Sequence, residues 1–182
     1  MEDSDFVSLN KIELVIHSPL QRAKETSETL LGVSSDQAID IALTETTTTQ
    51  DESAESSKSR PASVKRVLNL SILEEKTHSE WVWSQSSYEQ RVNSFQKWLG
   101  AQPESVICIV GHSQYFKTML GLPFKFDNVD VYGVSFDPQK TTANEPFVLE
   151  NAGVPETVTM KPEWYDIQLL HTCRDQKPPT TN

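Results

Sequence analysis

Apolar positions along this chain come in short bursts, and the bursts alternate between strand-like and helical spacing. Ile12, Leu14, Val15 and Ile16 form a β-rich run that predicts a strand. Ser18 then offers an N-cap, Pro19 suits the first helical position, and Gln21 follows at the spacing of a capping box. Leu20, Ala23, Ser27 and Leu30 continue at helical spacing, with Gly32 as the stop. Val64 to Leu73 reads as a second strand. Ser86 with Glu89 predicts another capping box, opening a helix whose Tyr88, Val92, Phe95 and Leu99 share one face as far as Gly100. Ser105 to Val110 is an unbroken apolar strand suited to burial on both faces. A short helix, Ser113 to Leu120, closes at Gly121, and Val129 to Phe136 alternates as a last strand. Strands alternating with helices predict an α/β three-layer sandwich around a mainly parallel central sheet.

Between these elements lie stretches with no period. From Thr44 to Ser63, half of the twenty residues are Ser or Thr and none is a bulky apolar residue. Burial there cannot offset the entropy of ordering, which predicts a disordered insert over 44–63. Residues 138–163 read as a loop-rich segment and 175–182 as a flexible, Pro-rich tail. The 182 residues are room for a single domain, and a hydrophobic content of 36% fits one core diluted by polar segments.

Charge narrows the function classes. With 16 basic and 26 acidic side chains the formal charge is −10, which argues against a nucleic-acid binder, because phosphate-backbone contacts need an extended positive surface. No apolar run approaches a membrane span, and the acidic start, Met1 to Asp5, carries no secretory signal. Cys108 and Cys173 do not form a CxxC pair or a disulfide framework, and Cys108 is expected as a buried, inert thiol. The four histidines show no zinc-ligand spacing, so neither a metal nor another cofactor is expected. These features fit a reduced, cytoplasmic protein.

Two turns place polar groups just beyond a strand, where open α/β sheets bind ligands. In the first, Ser18 and Arg22 lie at a helix start. Arg22 is unfavourable there for the helix dipole unless an oxyanion is shared between the guanidinium and the helix terminus. Its bland alternative is a surface arginine on an ordinary helix. In the second, Gly111 and His112 follow the most apolar strand; His112 there can donate to an anion or move a proton, or else be a satisfied core histidine. Glu75, at the end of the Val64 to Leu73 strand, is a carboxylic acid that could protonate a leaving group, although a lone Glu at a strand end is usually a solvated charge. Since Glu74 is adjacent, at most one of the two points into a cleft.

Together these positions resemble the histidine phosphatase, or phosphoglycerate-mutase-like, superfamily. Ser18-Pro19-Leu20-Gln21-Arg22-Ala23 with Thr26 is similar to its S-P-L-x-R-A-x-x-T segment. Leu73-Glu74-Glu75 resembles its L-x-E acid segment, and Arg91 to Met119 with Val110-Gly111-His112 its helix and histidine-bearing strand end. Phe126-Asp127-Asn128 leading into Val129-Asp130-Val131 resembles the closing strand. The likeness runs over residues 10–137 apart from the insert.

The resemblance implies that Arg22 and Ser18 bind a phosphoryl group, that His112 stabilises its oxygens, and that Glu75 is the general acid. It also implies a nucleophilic histidine in an Arg-His-Gly motif on the first family strand. This chain has no Arg-His-Gly: its histidines follow Ile16, Thr77, Gly111 and Leu170. Only eleven residues precede Ile12, so an amino-terminal strand of the family domain is expected to be missing. His17 stands at the right rim but not in the nucleophile's place, and that role is assigned to no residue. The expected function is phosphoryl transfer or phosphate-ester hydrolysis in a complete form, impaired in this chain. The expected partner is a small phosphorylated substrate or a phosphoprotein. The alternative is a non-catalytic remnant that binds a phosphate-bearing ligand or protein.

Overall fold

Strand β1, Leu14–His17, is buried at every residue because it lies inside a parallel sheet, between β3 and β4. The sheet runs β2 (Ile39–Ile41), β3 (Arg66–Leu70), β1, β4 (Ile107–Val110), and all three pairings are parallel. The register sets His17 beside Asn69 on one side and Val110 on the other, so the carboxyl ends of the strands sit level. Helices flank the sheet: α1 (Gln21–Leu31), α2 (Gln85–Leu99) and α3 (Ser113–Leu120). A computed structural model describes residues 11–34, 36, 38–41, 64–75, 85–151 and 154–172. The segments 44–63 and 175–182 and Cys173 lie outside them.

Side chains alternate across the sheet with the pleat. On one face Val15 and Val67 join Ile12, Leu31, Val33 and Val64, with Cys108 and Val110 packed against them. Leu14, Ile16, Leu68 and Leu70 are buried on the other. Helix α2 buries the stripe that its spacing predicted, Tyr88, Val92, Phe95 and Leu99. Tyr88 and Phe95 both meet Tyr115 edge-on, at 6.0 and 6.1 Å between ring centroids. At the amino ends of the strands Glu13 accepts from Lys65 Nζ and from the Ser105 N–H, each at 2.8 Å. Beside it, Arg66 makes a fork to both oxygens of Glu104 at 2.8 and 2.7 Å.

The chain divides into two compact units, residues 1–115 and 116–182, the division falling inside α3. In the second unit β5 (Val131–Phe136) pairs with β8 (Trp164–His171), and β6 (Phe147–Asn151) with β7 (Val154–Val158), both antiparallel. Asn144 secures the approach to β8, its amide donating to the carbonyls of Lys161 at 2.8 Å and Trp164 at 2.7 Å. Trp164 is buried against Phe136.

Several local expectations are corrected. Ser18 is not an N-cap: α1 starts at Gln21 after Leu20, whose side chain makes no cap, and Pro19 lies outside the helix. Ser18 has another partner, described below. Ser86 falls inside the first turn of α2, which begins at Gln85. The Val64 to Leu73 strand is shorter and ends in a 3-10 turn, Ser71–Leu73. The segment 138–163, expected as loops, holds the β6–β7 hairpin, two five-residue strands too brief for a sustained period. Strand β4, expected to be buried on both faces, is an edge among the described residues, and all four of its residues are half-buried.

Candidate functional site

Parallel strands bring the residues that follow them to one rim. Ser18 follows β1, Glu75 follows the 3-10 turn after β3, and His112 stands two residues beyond β4. The Ser18 N–H donates to Val110 O at 3.0 Å, which carries the β1–β4 ladder one step past the strand. Arg22 sits in the first turn of α1, just past the Ser18-Pro19-Leu20 bend. Thr26 Oγ1 donates back to Arg22 O at 2.7 Å, one helical turn on.

The four site residues of the sequence analysis are in contact. Arg22 Nε donates to His112 Nδ1 at 3.1 Å, and Arg22 Nη2 donates to Glu75 Oε2 at 2.5 Å. His112 Nε2 lies 3.0 Å from Ser18 Oγ, which also accepts from the Leu20 N–H at 3.4 Å. Arginine only donates, so His112 Nδ1 is the acceptor and its neutral ring carries the proton on Nε2. That proton goes to Ser18 Oγ. The imidazole therefore cannot take the serine proton, and a Ser-His nucleophile is excluded for this arrangement. With two donors on its oxygen, Ser18 directs its own proton elsewhere.

Electrostatics agree. Burial, then the Arg22 charge, pushes the His112 pKa below its ordinary value; Glu75 opposes this and Arg91 adds to it. Neutral His112 keeps the tautomer that Arg22 selects. The Arg22–Glu75 pair is half exposed on both sides, so it orients the guanidinium and adds little stability. Glu75 faces Arg22, whereas Glu74 lines a separate cleft of about 310 Å³ with Pro19, Asp40, Asn69 and Ser71. Asn69 Nδ2 donates to Asp40 Oδ1 there at 2.6 Å. Pro19 and Glu74 adjoin Ser18 and Glu75 in sequence, so the cleft abuts the donor array.

His17 is fully buried. Its Nδ1 is 3.1 Å from Ser18 O, its Nε2 has no partner, and burial pushes its pKa down. Burial pushes the Cys108 thiol up to about 12, an inert sulfur turned into the α1-side core. Among the described residues no cluster of His, Cys, Asp or Glu could hold a metal ion, and no helix is long and apolar enough to cross a membrane.

Sequence reasoning missed Arg91 on α2. Its Nη1 donates to Ile72 O at 2.9 Å and to Glu74 O at 2.7 Å. An arginine one turn after a buried tyrosine, on the apolar stripe of a helix, was the available signal.

The family model of the histidine phosphatase superfamily (branch 1) matches residues 4–144. Searches of curated proteins and of solved structures returned no significant match.

Proposed function

The chain belongs to the histidine phosphatase superfamily (branch 1), and on that basis we propose that its donor array binds the phosphoryl group of a small phosphate monoester. Arg22 supplies the charge and Ser18 its own hydroxyl proton, His112 holds both in place, and the amino end of α1 adds its partial positive charge. The body of the ester lies in the cleft beside Pro19 and Glu74. Glu75 stands where the family's acid segment implies the proton donor to a leaving oxygen; paired with Arg22 it is a carboxylate, and it must release the guanidinium and take up a proton from solvent before it can give one. The observation that carries the proposal is the contact chain Glu75, Arg22, His112, Ser18, drawn from three strand ends onto one rim.

In the superfamily a histidine of an Arg-His-Gly motif accepts the phosphoryl group. These 182 residues contain no such motif, and His17 is buried with its ring engaged by Ser18 O. The proposal is therefore binding with little or no turnover by this chain alone. A second role, recognition of a phosphate-bearing ligand without chemistry, rests on the same observation.

Titration of the parent and Arg22→Ala proteins with inorganic phosphate tests the site. Losing charge-assisted hydrogen bonds is expected to weaken binding roughly 10- to 150-fold, and equal affinities would overturn the assignment. Purified chain is expected to show no turnover of an aryl phosphate between about pH 5 and 8. Turnover that His17→Ala abolishes would instead make that histidine the nucleophile.

A further inference from the structure

One residue of α2 reaches the rim without belonging to the donor array. Arg91 Nη1 donates to the carbonyls of Ile72 and Glu74, and its Nη2 makes a longer contact, 3.5 Å, to that of Glu75. The guanidinium also lies over two aromatic rings, 5.0 Å from the centroid of Tyr88 and 5.7 Å from that of Tyr115. Both tyrosines are fully buried and pack edge to face. A planar cation that stacks on aromatic faces and donates in a fork is therefore held on a rigid platform.

What it holds is the segment that carries Glu75. After β3 the chain leaves the sheet through the 3-10 turn, and Glu74 N–H to Ser71 O at 3.0 Å is its local hydrogen bond there. Beyond that turn the sheet no longer fixes the backbone. Arg91 ties three of the four carbonyls from Ile72 to Glu75, the Leu73 carbonyl being the exception. Glu75 in turn grips one end of Arg22, whose other end is on His112.

We infer that Arg91 is a positioning residue: its fork to the Ile72, Glu74 and Glu75 carbonyls places the Glu75 carboxylate against Arg22 and so sets the orientation of the phosphate-binding guanidinium. It touches neither the ligand site nor a reacting atom and acts through Glu75. Its functional meaning rests on the proposed phosphate site; its control of Glu75 does not. An arginine is required because a lysine brings the same charge without the planar fork.

The consequence is a coupling that a structural arginine would not show. In the ligand-free protein, the Arg22 Nε–H bonded to His112 is expected to be protected from exchange, as read by nitrogen-15 NMR. Arg91→Lys, which keeps the charge near the site, and Arg91→Gln, which reaches one carbonyl at most, are both expected to accelerate that exchange about tenfold or more. Glu75→Gln is expected to do the same. Arg91→Lys, which keeps the charge that His112 feels, should add nothing in the Glu75→Gln background, because the route through Glu75 is already cut. Sulfate, a dianion throughout this range, gives a second reading. Removing the competing carboxylate in Glu75→Gln should tighten sulfate binding by roughly threefold, and Arg91→Lys should do likewise in the parent but not in Glu75→Gln. Unchanged Arg22 exchange in both Arg91 variants, or equal Arg91→Lys effects in the two backgrounds, overturns the inference. Should Arg91→Gln fail to fold, Arg91→Lys alone decides it. Failure of the parent to bind sulfate or phosphate would count against the phosphate site, while the exchange measurement would still judge Arg91.

Discussion

Arg22 and His17 lie five residues apart and show opposite uses of polarity. Arg22 keeps its charge in water and spends its hydrogen bonds on holding a geometry. His17 is folded into the apolar layer under α1, where a charged ring would lose its hydration. That makes acid sensitivity a property of single residues. Burial lowers the pKa of His17 and of His112 in the folded chain, while the unfolded chain titrates near the ordinary value of about 6.5. Between the folded and unfolded values the unfolded chain binds more protons. Stability therefore rises with pH in that window and is lost as pH falls below about 6.5. His17→Leu is expected to flatten this loss, leaving the share of His112. Denaturant melts of both proteins across the window check it, and parallel pH profiles would remove His17 as a source.

Among the elements, the sheet is tied at its amino ends by ion pairs that reach across β1. Glu104 is nearly buried and accepts both arms of the Arg66 fork, while Arg66 is itself about a third exposed and also donates to Gln102. A two-armed charged contact of this kind is expected to be worth about 1.5–3 kcal/mol, and solvent around Arg66 puts it at the low end. Glu104→Ala should thus lower unfolding stability by about that amount while leaving phosphate affinity alone, since the site is at the opposite ends of the strands. A loss below about 0.5 kcal/mol, the level of an ordinary surface change, would show that Glu13 and its bonds to Lys65 and Ser105 suffice.

For the whole molecule the open question of assembly lies at the sheet edges. Strand β2 is three residues long and carries a charge, the exposed Asp40, which blunts it. Strand β4 is Ile-Cys-Ile-Val, half-buried throughout, and no described strand pairs with its outer side. The carboxyl-terminal strand β8 does not fill that place; it pairs with β5. An apolar edge with unpaired backbone groups invites a further strand. The chain at micromolar concentrations and above is expected to self-associate, and Ile107→Lys to reduce association. Sedimentation that finds a monomer with a sharp melt would show that the β4 edge is already satisfied.

Some of this protein was determined by its sequence alone, because short-range rules sufficed. The α2 stripe from Tyr88 to Leu99, the α3 boundaries, the stop at Gly32 and the strand-helix alternation depend on spacing within a few residues. The gathering of Ser18, Arg22, Glu75 and His112 was also legible. Parallel strands put their carboxyl ends on one rim, so residues ordered along the chain as strand ends become neighbours. Other features needed the tertiary structure, since distant groups compete for the same atom. Ser18 has the sequence signature of a cap, yet its oxygen serves His112, 94 residues away, and α1 begins later without it. The apolar run in β4 reads as a strand buried on both faces, and only the sheet order puts it at an edge among the described residues. Arg91 was given no role in the sequence; its part depends on carbonyls left over where β3 ends, which no local pattern records.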